Sequence, residues 1–67
     1  MPALTDTFLT YLLSRGDIWK ITRKLGKAIA DYSAAIRLDP KNPDHYENRA
    51  RAWAEKGDQA RADADFK

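Results

Sequence analysis

The chain contains no cysteine, a single histidine and no long uncharged apolar run. Without cysteine it forms no disulfide, and one histidine without a thiol does not make a metal site of the usual kind. No stretch reaches the roughly 18 apolar residues that a membrane-spanning helix needs. Residues 1–13 also lack the basic start and the small-residue cleavage pattern of a secretory signal. We therefore expect a cytoplasmic chain with no cofactor and no membrane partner.

The chain is short and only weakly charged. Its 67 residues suffice for one domain, and its 12 basic and 10 acidic residues give a net charge of +2. Such a small net charge does not by itself indicate a polyphosphate partner. A domain of this size buries only about 60% of its unfolded surface, so we expect marginal stability as a monomer. Since disulfides and metals are excluded, close helix packing or self-association has to compensate.

Apolar residues recur at spacings of three and four, which predicts an all-α fold of four helices. The predicted helices cover about residues 5–22, 26–38, 43–56 and 58–66. The third helix has the clearest signals. Asn42 is a favourable N-cap, Pro43 suits the first helical position, and Gly57 supplies the left-handed residue that ends a helix. Because the connections are short, consecutive helices should form antiparallel hairpins.

The sequence matches itself at an offset of 34 residues. Trp19 then aligns with Trp53, and Tyr32 aligns with Phe66. The other aligned pairs are Leu12 and Tyr46, Arg15 and Arg49, Gly16 and Ala50, Ala28 and Ala62, and Asp31 and Asp65. Because the agreement is concentrated at positions predicted to be buried, we interpret the chain as two copies of one helix hairpin. A single hairpin cannot cover its own apolar face, so the two hairpins should stack.

This pattern resembles the tetratricopeptide repeat, a helix hairpin with a 34-residue period and fixed small and aromatic positions. The positions that carry the resemblance are Leu12, Gly16, Trp19, Ala28, Tyr32, Ala35 and Pro40, followed by Tyr46, Ala50, Trp53, Ala62 and Phe66. The resemblance implies a single domain over residues 1–67, built as a short α-solenoid. The first repeat would occupy about residues 9–42, and an incomplete second repeat about residues 43–67.

One departure from the pattern concerns the turn of the first hairpin. Arg23 stands where Gly57 closes the second hairpin. A left-handed conformation is costly for any residue with a Cβ atom, so the first turn is expected to be strained or differently shaped. In the second case Gly26 would supply the flexible residue.

The resemblance implies a non-catalytic protein–protein interaction module that binds a peptide or protein in the groove lined by the first helix of each repeat. The groove positions it implies are Leu13, Ser14, Asp17, Lys20, Ile21, Glu47, Asn48, Arg51 and Glu55, with Thr10 and Asp44 at the margin. Helical spacing independently places each set on one face, away from Trp19 and Trp53. A solvated polar face without a ligand is the alternative interpretation.

Some family members clamp a C-terminal carboxylate with Lys and Asn side chains in this groove. Asn48 matches one clamp position, but Leu13 and Asp17 stand where Lys and Asn would be. We therefore do not expect this kind of tail binding.

The first helix is apolar around most of its circumference, and neither end of the chain resembles a polar capping repeat. We therefore predict a homo-oligomer in which one chain covers the open edges of another, or a purely structural unit of this kind. The residues predicted for self-association are Phe8, Leu9, Trp53 and Phe66. The alternatives are that the chain is a fragment of a longer repeat array or that its ends fray.

The remaining polar residues suggest no catalytic site. Residues 15–27 carry five basic residues against one acidic residue, so weak nucleic-acid contact is a further alternative, although nucleic acid is not the expected partner. Asp31, Asp63 and Asp65 are interpreted as a polar helix face, and His45 as a surface residue. No serine has a base at a suitable spacing, so we do not expect an enzyme.

Overall fold

The computed structural model describes residues 4–66. It contains four α-helices and, within those residues, no strand. The helices are α1 (Leu4–Ile21), α2 (Leu25–Leu38), α3 (Pro43–Lys56) and α4 (Gln59–Phe66). The predicted all-α class and arrangement of helix hairpins are confirmed. The predicted domain limits at residues 1 and 67 lie outside the described residues.

Each helix packs chiefly on its neighbours in the sequence, α1 on α2, α2 on α3, and α3 on α4. The molecule measures 40 × 27 × 12 Å, so it is thin and every helix remains near solvent. Half of the buried residues among those described belong to α2, which has a helix on each side. The buried residues of α2 are Ala28, Ile29, Asp31, Tyr32, Ala35 and Ile36. The core of the molecule is therefore centred on α2.

The largest fully buried side chain is Tyr32, which lies in a cluster with Ala28, Ile29 and Ala52. Gly16 lets α1 approach this ring. A Cβ atom at Gly16 would lie 2.8 Å from Cε1 of Tyr32, a distance at which the ring or the helix would have to move. Small residues on α1 and α3 thus create the space that a buried aromatic on α2 occupies.

The two hairpin turns have the same shape although their residues differ. Arg23 has a φ of 67°, and the N–H of Lys24 donates to the carbonyl of Trp19 at 2.7 Å. In the second hairpin Gly57 has a φ of 96°, and the N–H of Asp58 donates to the carbonyl of Trp53 at 2.9 Å. The first turn is therefore strained at Arg23, one of the two predicted alternatives.

The other alternative, a turn that uses Gly26, is wrong. Gly26 lies inside α2, whose first residue is Leu25, and it has no positive φ. The hydrogen-bonded turn at Arg23 already reverses the direction of the chain, so α2 can begin at Leu25.

Helix caps also differ between the hairpins. The Asn42 side chain accepts a hydrogen bond from the N–H of Asp44 at 3.0 Å, as predicted for an N-cap. The Asp58 side chain likewise accepts from the N–H of Arg61 at 3.1 Å. Lys24, which precedes α2, makes no such side-chain bond. The first hairpin thus lacks both the glycine and the cap that the second one has.

Candidate interaction surfaces

Each hairpin is held by a two-bond ion pair between an arginine on its first helix and an aspartate on its second. Arg15 donates to both carboxylate oxygens of Asp31, and both nitrogen–oxygen distances are 2.8 Å. Arg49 donates to both carboxylate oxygens of Asp65, and both distances are 2.7 Å. The hydrogen bonds to Asp65 raise the pKa of the Arg49 guanidinium further above its ordinary value, so it stays charged. These four charges therefore hold the hairpins together.

The interpretation of the acidic residues as a polar helix face is wrong for Asp31 and Asp65. Both carboxylates are almost fully buried, and the bidentate arginine replaces the water that each has lost. Asp63 does lie on the surface, where it accepts a hydrogen bond from Gln59 at 2.8 Å. The pairs were detectable in the sequence, because an arginine and an aspartate recur together with the same separation in both copies.

A second repeated contact places a basic side chain over each tryptophan. Nζ of Lys27 lies 4.8 Å from the ring centroid of Trp19, and Cζ of Arg61 lies 4.9 Å from that of Trp53. Both indoles also pack against the core and are only partly exposed. Of the residues predicted for self-association, Trp53 is therefore partly covered by its own chain.

The other three residues predicted for self-association differ in exposure. Leu9 is half-buried, whereas Phe8 and Phe66 are both more than half exposed. They belong to the first and last described helices, Phe8 near the start of α1 and Phe66 at the end of α4.

The residues implied for the groove lie on α1 and α3. One charged member, Asp17, accepts a hydrogen bond from the hydroxyl of Tyr32. Burial raises the pKa of the Tyr32 phenol well above its ordinary value, the Asp17 bond and the charge of Glu55 raise it further, and the charge of Arg51 opposes them. The pKa of this one hydroxyl thus responds to charges on both helices, Asp17 on α1 and Glu55 and Arg51 on α3.

The remaining groove residues vary in how available they are. Leu13 is half-buried because it packs against the core, and Arg51 donates to Glu47 at 3.2 Å. Lys20 and Asn48 are partly exposed, while Ser14 and Ile21 are exposed. The surface is consequently polar, with an exposed apolar residue at one end.

His45 is buried at the contact between α2 and α3, so the prediction of a surface residue is wrong. Its Nε2 lies 3.0 Å from Oδ2 of Asp39, which ends α2. Nδ1 has no hydrogen-bond partner among the described residues. The reason for the burial is position, because His45 is on the face of α3 that meets the preceding hairpin. Helical spacing allowed this inference, since His45 lies two turns before the buried Ala52 on the same face of α3.

The structure also contains a basic recess of about 520 Å³ at the first turn. Four cations line it, Arg23, Lys24, Lys27 and Lys56, together with the acidic Glu55. Arg15, the first basic residue of the segment 15–27, donates to both carboxylate oxygens of Asp31 and does not line this recess. The positive surface is therefore smaller than the sequence alone suggests.

Two recesses with substantial apolar lining lie near the ends of the solenoid. The first, of about 640 Å³, is between the start of α1 and the end of α2, and Leu4, Thr5, Thr7, Phe8, Tyr11 and Leu38 line it. The second, of about 450 Å³, is between α3 and α4, and Pro43, Tyr46, Glu47, Ala64, Asp65 and Phe66 line it. Both include aromatic side chains that the chain itself leaves partly uncovered.

Within residues 4–66, no group of three or more His, Asp or Glu side chains is arranged to hold a metal ion. None of the helices described there combines the length and apolar character needed to cross a membrane.

Comparison with known proteins gives one result. A protein-family model described as TPR repeat matches residues 16–57. The match begins at Gly16, which approaches Tyr32, and ends at Gly57, which closes the second hairpin. No match was found among the curated proteins or among the solved structures.

Proposed function

Because the chain belongs to the tetratricopeptide repeat family, we propose that it is a non-catalytic protein–protein interaction module. Its partner is a peptide or protein segment that binds in the groove between α1 and α3. The chain also associates with itself through the exposed apolar residues at its ends. The cytoplasm is the proposed location.

The observation that carries the groove proposal is the charge arrangement around the Tyr32 hydroxyl. Asp17 on α1 and Glu55 and Arg51 on α3 act on this single group. A ligand lying between the helices would therefore contact charges from both repeats at once. Side chains that bridge two repeats are suited to recognition because one bound segment contacts both.

The charges also indicate which kind of peptide fits. Arg51 is partly neutralised by Glu47, whereas Asp17 and Glu55 are exposed acids without a basic side chain bonded to them within residues 4–66. With Asp44, the groove has four acidic residues against two basic ones. A peptide with lysine or arginine is therefore favoured over an acidic one.

The test is binding to an array of short synthetic peptides that span basic, neutral and acidic sequences. We expect the basic peptides to be retained, and Glu55→Lys to weaken their binding at least about tenfold, which corresponds to about 1.4 kcal/mol. Asp63→Lys makes the same change of charge on α4 and should leave the affinity unchanged. Equal loss in both variants, or retention of no peptide at all, would contradict the groove proposal.

Self-association is proposed separately, from the exposure of Phe8 and Phe66 together with the partly exposed Leu9 and Trp53. A chain this small gains stability when another copy covers such residues. Measurement of mass by light scattering across a dilution series tests this point. A mass that rises with concentration supports it, and a monomer mass at high micromolar concentration contradicts it.

Nucleic-acid contact through the basic recess remains a second candidate, favoured only by Arg23, Lys24, Lys27 and Lys56 lining one recess. Binding of this kind depends steeply on salt because it releases counterions. Retention of a nucleic-acid duplex that disappears between low and moderate salt would favour it, and no retention at low salt would exclude it.

A further inference from the structure

Among residues 4–66, the contact between α2 and α3 is the main contact that joins one repeat to the next. On the α3 side Ala52 is fully buried against Ile29 and Tyr32. Near the same boundary Arg49 donates a hydrogen bond to the hydroxyl of Ser33 at 3.1 Å. These contacts define what a repeat boundary looks like in this protein.

The positions that form the α3 side of this boundary have counterparts on α1, because α1 and α3 are the first helices of the two repeats. Subtraction of the 34-residue offset takes Ala52 to Ile18 and His45 to Tyr11. Ala52 and His45 are buried, whereas Ile18 is 57% and Tyr11 is 50% exposed. The outer face of α1 therefore presents the same half of the boundary, exposed at both positions, although Arg15 of the same helix lies over part of the Tyr11 ring.

The positions that form the α2 side of the boundary likewise have counterparts on α4, the second helix of the second repeat. Addition of the offset takes Tyr32, which is fully buried, to Phe66, which is 54% exposed. It also takes Ile29 to Asp63, an exposed carboxylate. The outer face of α4 is thus the other half of the boundary, with an aromatic residue retained and an apolar residue replaced by an acid.

From these two faces we infer that copies of this chain associate head to tail. The outer face of α4 in one copy packs on the outer face of α1 in the next, as α2 packs on α3 inside the chain. This inference rests on the proposed self-association and names its two surfaces. Because the surfaces differ, the contact is heterologous, and copies add to a stack instead of closing into a two-fold dimer.

The sequence also explains why such a stack is weaker than the internal boundary. At the position of Ile29, Asp63 has to lose water when the faces meet, which is unfavourable for an unpaired carboxylate. The association is therefore concentration-dependent, with single chains at low concentration.

The experiment uses two variants that each block one face. Ile18→Arg places a charge on the α1 face, and Phe66→Arg places a charge on the α4 face. Both positions are more than half exposed, so the fold of the single chain should be retained, which far-UV circular dichroism checks. If Ile18→Arg loses helicity, Tyr11→Lys blocks the same face at another position.

Mass is measured by sedimentation equilibrium for the wild-type chain, for each variant alone and for an equimolar mixture. We expect the wild-type mass to rise past that of a dimer and each variant alone to stay monomeric. The mixture should form a dimer and stop there, because the free α4 face of the first variant fits the free α1 face of the second. Glu55→Lys, a groove variant, should associate like the wild type.

Other outcomes overturn different parts of the account. If Phe66→Arg alone still forms a dimer, the copies pair through α1 faces, and if Ile18→Arg alone does so, they pair through α4 faces. Either result, or a mixture that stays monomeric while the wild type associates, overturns the head-to-tail arrangement only. A wild type that remains monomeric at all concentrations overturns self-association itself and leaves groove binding untouched.

A gain of association provides an independent check. Asp63→Ile restores on α4 the residue that α2 carries at the boundary, so we expect the stack to form at about a tenfold lower concentration. Asp6→Ile is the control, since it adds the same side chain at an exposed position of α1. Equal effects of the two variants would show nonspecific hydrophobic association and contradict the proposed arrangement.

Discussion

Tyr32 in the first hairpin and Phe66 in the second occupy the same position of the repeat, yet Tyr32 is fully buried and Phe66 is half-exposed. Within their own hairpins the two aromatic residues have similar neighbours, since a small residue, Gly16 or Ala50, stands at the matching position of the partner helix. The difference comes from the other side. α3 covers Tyr32, and no helix within residues 4–66 covers Phe66. Burial here is a property of neighbouring repeats more than of the single hairpin.

The largest expected loss of stability tests this comparison directly, by removing each aromatic side chain. Tyr32→Ala should cost about 3 to 5 kcal/mol, which is close to the whole stability of so small a domain. Phe66→Ala should cost only about 1 kcal/mol, because about half of the ring is already in water. Urea unfolding followed by circular dichroism at low protein concentration measures both losses.

Tyr32→Phe is the control for this pair of variants. It keeps the buried ring and loses the bond to Asp17, so it should cost about 1 kcal/mol. Similar losses for Tyr32→Ala and Phe66→Ala would show that the neighbouring helix does not determine the energy of this position.

A smaller effect concerns the two arginine–aspartate pairs. Arg49→Ala should cost about 2 kcal/mol, less than a fully buried pair, because the Arg49 side chain is partly exposed. Arg15→Ala should cost less, since the Arg15 guanidinium is more exposed and makes no bond across the repeat boundary. Thermal unfolding of the two variants under the same conditions makes the comparison. A greater loss for Arg15→Ala would contradict the role of the boundary bond to Ser33.

The smallest expected changes in stability concern the two hairpin turns. Arg23→Gly should stabilise the chain by about 1 kcal/mol, because glycine adopts the left-handed conformation at little cost. Lys24→Asp should add up to about 1 kcal/mol by supplying the cap that α2 lacks. The melting temperature of each variant is the measurement. Lys20→Gly, inside α1, is the control for the glycine and should lower it.

Much of this fold could be predicted from the sequence because the repeat is strongly patterned. The offset aligned Trp19 with Trp53 and Tyr32 with Phe66, and the structure confirms four helices arranged as stacked hairpins. Gly57 and Asn42 were also predicted correctly, since each acts through local backbone geometry.

The sequence does not show a residue's role where that role depends on another helix. Taken one helix at a time, the pattern places Asp31 and Asp65 on a polar face, because the arginine that each one bonds belongs to the neighbouring helix. His45 was placed on the surface for the same reason, although α2 buries it. For the groove, the sequence predicts the set of residues, and which ligand they bind stays a prediction.

Native-state hydrogen exchange tests the central claim most directly, that each helix is as stable as its neighbours make it. In dilute solution we expect the amides of α2 to exchange most slowly, because α2 has a helix on each side and carries more buried residues than any other described helix. Those of α4 should exchange fastest, because α4 packs on α3 alone and contributes only Ala62 to the core. Equal protection of α2 and α4 in single chains would contradict this account.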